Sequence, residues 1–373
     1  MNLRYLFNLT KRNLLFWLSR KIDYPLIPPD MVQINFTFLC NLRCKMCSMH
    51  DQMEYLKKQG RQVEIESDTI RKIIRETKEL GTKNVLFIGG EPLLRKDLFE
   101  LVSYAHGLGL NTIVVTNGVL LNEDNIKKCF DSHLDWLSIS IDAATEESFR
   151  KIRGENVLGK IVSNIDKLNR LKSQFKKCSP NVVSVCTIMD DNLEELMSVV
   201  ELCRRLHIAR VLFQPVVAKN IDQTQRDTSS PGFVKKERFG VLDEAIKNLL
   251  EYKKSSPANF DFIGNSLRHL KLIEQYFKGR LRPSVLPCYA GYNRVQIVQE
   301  GKLYFCVSQQ AYETNLGNIE KDSLKDLWFS KEAKFYRRLI RRCKSPCLQW
   351  CSYRDEFFEL EALFQKKFLF KNK

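Results

Sequence analysis

Between residues 32 and 252 the apolar residues of this chain switch period repeatedly, from the two-residue alternation of a strand to the 3.6-residue recurrence of a helix and back. Residues 32–38 alternate and are rich in β-formers. Ser67 then reads as the cap of a helix with Ile70, Ile73, Ile74 and Leu80 on one side and Gly81 at its end. Strands over 84–88, 111–116, 136–141, 182–188 and 210–216 are each followed by a helical stretch, near 97–108, 123–132, 160–174, 193–206 and 236–252. Six successive strand–helix units require parallel strands and right-handed crossovers. Six are too few to close the usual eight-stranded barrel, which leaves a partial barrel or an open sheet. In either, chemistry belongs at the C-terminal ends of the strands, where Cys40, Gly89, Asn117, Asp142 and Thr187 fall.

The cysteines point to those same ends. Of twelve, three lie within eight residues (Cys40, Cys44, Cys47) and five in the last quarter (Cys288, Cys306, Cys343, Cys347, Cys351). The other four, Cys129, Cys178, Cys186 and Cys203, are isolated and read as small buried hydrophobes or surface thiols. A C-x3-C-x2-C loop can wrap three thiolates around three corners of a cubane cluster and leave the fourth iron open, as a catalytic metal site requires. Two blander readings compete. The spacing also marks one helix face, but a strand precedes the loop and helical apolar periodicity is absent. A zinc site would need a distant fourth ligand, and His50 is near but oddly spaced.

Further motifs sit at the following strand ends: Gly89-Gly90-Glu91-Pro92, Thr116-Asn117-Gly118, Ser140-Ile141-Asp142, and Arg153-Gly154 in the segment after. Late in the chain, Cys288 and Cys306 follow a C-x12-G-x4-C pattern around Gly301, across a hairpin expected over 295–305 that turns at Glu300-Gly301. Cys343-x3-Cys347-x3-Cys351 follows.

In these motifs, over roughly residues 31–216, the sequence resembles the radical S-adenosylmethionine (radical SAM) superfamily. The resemblance implies a partial (β/α)6 barrel with parallel strands. It implies a [4Fe–4S] cluster on Cys40, Cys44 and Cys47 whose open iron chelates S-adenosylmethionine, and reductive cleavage to a 5′-deoxyadenosyl radical that abstracts a hydrogen atom from substrate. Carried over residue by residue, the cofactor would meet Gly89, Gly90 and Glu91 at its methionine amino group, Ser140 and Arg153 at its carboxylate, Asn117 and Asp142 nearby, and Ile188 at its adenine, with Pro215 close. Residues 283–353 resemble the SPASM/twitch extensions, small cysteine-rich domains with auxiliary clusters. This chain has fewer cysteines than the full SPASM pattern, enough for one auxiliary cluster from Cys288, Cys306 and members of Cys343, Cys347 and Cys351. A zinc site that merely folds this lobe is the alternative.

The expected organisation is a basic amphipathic extension (1–30), the barrel (31–254), a helical bridge (255–282), the auxiliary-cluster unit (283–353) and a C-terminal helix (354–373). Apolar residues at 44% and charged residues at 28% suit a soluble globular protein, and no apolar stretch reaches the roughly 18 residues of a membrane span. The interleaved basic residues of the N-terminal segment leave no signal-peptide core, so the expected location is the cytoplasm, where the cysteines stay reduced rather than paired. That segment reads as a helix packed on the domain, with peripheral membrane contact as the alternative. The net charge of +16 is scattered, and no nucleic-acid-binding pattern accompanies it. By resemblance the substrate is a peptide or protein, with a small molecule or a lipid or glycan precursor as the alternative. The electron donor would be a flavodoxin or ferredoxin. A non-catalytic iron–sulfur or zinc protein accounts for the cysteines but gives no role to Gly89-Gly90-Glu91-Pro92 or Arg153. Tyr289 and Tyr292, beside Cys288, read as packing rather than as substrate contacts.

Overall fold

The computed structural model describes residues 3–217, 230–282, 287–306, 315–343 and 347–349. Its strands are β1 (Met31–Asn35), β2 (Asn84–Ile88), β3 (Asn111–Thr116), β4 (Trp136–Ser140), β5 (Asn181–Ile188), β6 (Arg210–Pro215), β7 (Arg294–Ile297) and β8 (Leu303–Tyr304). They form one sheet in the order β6-β5-β4-β3-β2-β1-β7-β8. Every neighbouring pair is parallel except β7 with β8.

Helix α1 (Leu3–Ile22) precedes β1, and α2 (Met49–Lys58) follows the first cysteine loop. The crossovers are α3 (Ser67–Glu79), α4 (Leu98–Gly107), α5 (Glu123–Asp131), the pair α6 (Glu146–Arg153) and α7 (Leu158–Gln174), and α8 (Leu196–Arg205). Beyond β6 come α9 (Phe239–Ser255), α10 (Pro257–Phe262) and α11 (Leu267–Phe277); beyond β8, α12 (Leu324–Phe329) and α13 (Lys331–Arg341). Of these, α2 and α6 were not legible in the sequence. The cap expected at Ser67 sits one residue earlier, at Glu66, and makes no side-chain capping bond. The Ser67 hydroxyl instead donates to Asp97 at the start of α4 (2.5 Å).

Strand alternation sets the layers. In β2, β3, β5 and β6 fully buried residues alternate with partly buried ones. Ile88, Val115, Thr187 and Gln214, all of the partly buried set, line a cavity inside the curved sheet. The other set joins the helices in the core. From α3, Ile70, Ile73 and Ile74 are fully buried, worth about 1.5–3 kcal/mol each. The isolated Cys129, Cys186 and Cys203 are buried and Cys178 is exposed, as expected for residues without ligand roles.

The cysteine-rich segment is built onto the sheet. β7 lies beside β1 in parallel register, from Met31 opposite Arg294 to Ile34 opposite Ile297. The expected hairpin forms, turning at Glu300 in the left-handed region (φ 63°). Tyr289 and Tyr292 are buried against Phe16 of α1, with the Phe16 and Tyr289 rings edge-on at 6.4 Å.

Candidate active site

The loop after β1 carries Cys40, Cys44 and Cys47, and its backbone is pinned from several sides. Leu42 N–H reaches the Cys40 sulfur at 3.5 Å, Cys47 N–H donates to Cys44 O at 3.0 Å, and a His50 ring nitrogen lies 2.6 Å from Leu42 O. Lys45 N–H donates to Ile152 O at the end of α6 (2.9 Å). His50 thus supports the loop backbone through one ring nitrogen.

The Gly89-Gly90 turn is dictated by close backbone approach. Gly90 N–H donates to Thr37 O at 2.7 Å and Glu91 N–H to Leu39 O at 2.8 Å, so the turn runs beside the chain leading into Cys40. A Cβ would stand 2.3 Å from Thr37 O at Gly89, where φ is +155°, and 2.1 Å from Leu39 O at Gly90. No other residue type fits both positions.

Glu91 is buried and does not line the cavity. Its carboxylate accepts from Leu93 N–H (3.0 Å), Thr116 Oγ1 (2.7 Å) and Asn117 N–H (2.8 Å), tying the end of β2 to the end of β3. Burial raises its pKa, and the three donors oppose that shift. Asn117 lines the cavity, but its side chain is engaged by Asn41 and by Val119 N–H. Both residues hold the loops in place.

Arg153 is the last residue of α6. Thr145 caps that helix, and Gly154 ends it in the left-handed region (φ 85°), where a Cβ would lie 2.8 Å from Arg43 O. The buried Arg153 guanidinium reaches the Cys44 sulfur (3.6 Å) and pairs with Asp142, which is fully buried and also accepts from Thr187 N–H (2.7 Å). Burial works to lower the Arg153 pKa, but Asp142 and Cys44 outweigh it and raise it. Asp142 therefore faces the arginine and the end of β5. Burial also pushes the Cys40 thiol up to about 11 and raises that of Cys47, so compensating cationic charge is needed to hold these sulfurs as thiolates.

Cys40, Cys44, Cys47, Gly89, Gly90, Asn117, Ser140 and Arg153 all line one cavity of about 960 Å³, which extends to the hairpin at Val298–Tyr304. Ile188 does not. It is fully buried on the helix-facing side of β5, and parity puts Thr187, with Gln214 of β6, on the cavity wall instead. Pro215 is likewise turned away. Thr187 was noted only as a strand end and Gln214 was missed, although the two-residue period would have found both. Cys288, Cys306, Cys343 and Cys347 are partly buried, and Cys351 lies outside the described residues.

The arrangement fits an iron–sulfur cluster and a carboxylate-bearing cofactor. Three thiols share one loop, and Arg153, which lines the cavity, has a buried Nε with no hydrogen-bond partner among the described residues. Family models decide the matter: one described as the radical SAM superfamily matches residues 34–203, and a SPASM iron–sulfur cluster-binding domain matches residues 288–353. The chain belongs to the radical SAM superfamily. It is an enzyme, with a SPASM-type C-terminal domain, and its cofactors are [4Fe–4S] clusters and S-adenosylmethionine.

Curated relatives of this radical SAM enzyme include a GTP 3′,8-cyclase of Aeromonas hydrophila, 27% identical over 74% of this chain and 77% of that protein. Another, from Nautilia profundicola, is 24% identical over 86% of this chain and 91% of that protein. Among solved structures, Streptococcus suis SuiB bound to precursor peptide SuiA superposes with a TM-score of 0.64 at 16% identity, covering 86% of this chain and 69% of that one. A complex of anSMEcpe with S-adenosylmethionine and the peptide Cp18Cys gives 0.63 at 15% identity, covering 92% and 96%. These structural likenesses establish the fold.

Proposed function

We propose that this radical SAM enzyme takes a hydrogen atom from a carbon of a peptide or protein segment held between the cysteine loop and the C-terminal hairpin. When bound, the cluster and S-adenosylmethionine, supplied with an electron by a flavodoxin- or ferredoxin-type donor, provide the hydrogen-abstracting chemistry. Cys40, Cys44 and Cys47 hold three irons and leave the fourth for the cofactor. The carbonyls of the Gly89-Gly90 turn accept from the cofactor's ammonium group, and Ser140 and Arg153 receive its carboxylate, with Asp142 fixing the guanidinium. Glu91 keeps the turn against β3. Cys288 and Cys306, with members of Cys343, Cys347 and Cys351, hold an auxiliary cluster.

The choice of substrate rests on the charge balance of the cavity. Among the described residues its wall carries Arg61, Arg153 and Lys302 against Asp51 and Glu300. Glu300 binds both Arg61 (2.6 Å) and Lys302 (3.0 Å), while Asp142 lies behind Arg153. With Asp51 and Asp142 counted, the described charges of the wall balance in sum, so a nucleoside triphosphate, the substrate named for the cyclase relatives, would add negative charge in excess of the cations there. A near-neutral peptide segment suits such a wall.

The test uses anaerobically reconstituted enzyme with dithionite and S-adenosylmethionine. Extract from cells grown in heavy water is divided by ultrafiltration. Deuterium appearing in 5′-deoxyadenosine with the macromolecular fraction supports the reading. Deuterium arising only from the small-molecule fraction, or from deuterated GTP, replaces it with a metabolite substrate.

A further inference from the structure

Large apolar side chains are exposed at thirteen described positions, and nine of these fall in residues 7–26 and 329–339. The two stretches meet where α1 ends. The Tyr24 and Phe329 rings lie 5.7 Å apart, Arg341 donates to Lys21 O at 3.0 Å, and Asp23 is paired with Arg338 and Arg341. Helix α1 divides into two sides. Leu9 and Phe16 pack inward, whereas Phe7, Leu14 and Trp17 project outward, exposed by 68, 53 and 39%. On α13, Ala333, Arg337 and Ile340 are buried, and Phe335 and Leu339 are exposed by 56 and 39%.

The fringe of this apolar face decides what can cover it. Lys11, Lys21, Lys331, Lys334, Arg338 and Arg342 lie along it, all exposed. The carboxylates nearby are few: Asp23 is buried beneath Arg338 and Arg341, Asp30 is paired with Arg12, and Glu332 is the exposed one on α13. Lys21 Nζ stands 5.4 Å from the Trp17 ring, an aromatic and a cation side by side at the edge of the patch. Aromatic and aliphatic side chains ringed by lysine and arginine match the boundary between acyl chains and anionic headgroups. No helix among the described residues is long and apolar enough to cross a membrane.

We propose that α1 and α13 together form a docking face for the surface of an anionic lipid bilayer. Both helices would lie along the surface, with Phe7, Leu14, Trp17, Phe335 and Leu339 below the headgroups and the basic fringe among them. This goes beyond the proposed reaction by giving the enzyme a place of work, and vesicle binding is read without turnover, so each idea can fail alone.

Full-length holoenzyme is sedimented with vesicles of phosphatidylcholine alone or mixed with phosphatidylglycerol at about seven to three. The expected result is at least tenfold tighter binding to the mixed vesicles, weakened steeply by salt. Leu14→Ser/Trp17→Ser and Phe335→Ser/Leu339→Ser should each reduce it at least tenfold, while dithionite-dependent cofactor cleavage stays unchanged and reports an intact fold. Failure to bind mixed vesicles, or equal binding to both kinds at any salt, overturns the proposal. A dimer in light scattering that Phe335→Ser dissolves overturns it also, by assigning the face to a second copy.

Discussion

Arg153 and Arg337 are both buried, one in the barrel and one in the cysteine-rich segment, and their surroundings differ in kind. Arg153 has a carboxylate behind it and a sulfur in front, which together raise its pKa. Arg337 donates to two backbone carbonyls, Gly291 O (2.6 Å) and Trp328 O (2.8 Å), and lies against the rings of Trp328 and Phe305 at 4.5 and 4.8 Å. Burial pushes its pKa down to about 10, and no carboxylate among the described residues pairs with it. In the barrel this buried cation serves a site. The C-terminal segment, with short strands and little core of its own, uses one as a packing element, joining α12, α13 and the turn after Cys288.

The sharpest separation of the two regions comes from their cysteines. Cys44→Ala should remove cofactor cleavage by at least ~10³-fold and about four irons per chain, since the loop loses a cluster corner. Cys306→Ala should keep uncoupled 5′-deoxyadenosine formation within about tenfold of the parent while losing substrate turnover. Equal loss of uncoupled cleavage in both variants would break the division.

His269 tests how the late cysteine segment is anchored. Its ring nitrogens meet Asn265 Nδ2 (2.8 Å) and Leu348 O (3.4 Å), next to Cys347. Burial lowers its pKa to about 4 from an ordinary 6.5. The unfolded chain therefore binds a proton that the folded chain refuses. This stability is complete above pH 6.5 and lost as pH falls towards 4, about 3 kcal/mol in all. Denaturant titrations at pH 7 and pH 5 should show it, and His269→Gln should flatten that slope. An unaltered slope in the variant would place the anchor elsewhere.

Lysine at the two arginines is a finer test. Arg153→Lys keeps the charge beside Asp142 but loses the planar fork. Affinity for S-adenosylmethionine should fall roughly 10–100-fold with stability within about 1 kcal/mol of the parent. Arg337→Lys leaves one carbonyl unanswered, costing about 1–3 kcal/mol with cofactor affinity unchanged. Swapped outcomes would reverse the roles given to them.

The same contrast explains what could be read from the chain. The parallel units between β1 and β6 are local: each strand pairs with its neighbour in sequence, so periodicity alone dictates the topology. The partnership of β7 with β1 spans over 250 residues, and four strand residues carry no signal of it. Within the site, Cys40, Cys44, Cys47 and the two glycines were legible because their spacing and lack of side chain are themselves the requirement. Ile188 was misplaced for want of strand parity. Glu91 and Asp142 were assigned to the cofactor because a motif names residues and not the direction their carboxylates take. Helix α6, which delivers Arg153, is mostly charged on one side, and no long apolar stripe marks it.

The smallest effect concerns an ion-pair cluster that joins the two regions across the cavity. Arg61, just beyond α2, and Lys302 of the hairpin both bind Glu300; the Arg61 hydrogen bond leads in holding its pKa down to about 2. A depressed carboxylate contributes stability that is present above its ordinary value of 4.5 and lost as pH falls towards 2. The pair is partly exposed, so Glu300→Gln should cost no more than about 1 kcal/mol and remove that acid limb. Its more telling consequence is electrostatic. The substitution removes the one carboxylate that Arg61 and Lys302 share and leaves the cavity wall one charge more positive, so the variant should retain tripolyphosphate in equilibrium dialysis where the parent retains little. If the parent already binds tripolyphosphate as well as the variant does, the cations were never neutralised, and the case against an anionic nucleotide substrate fails with them.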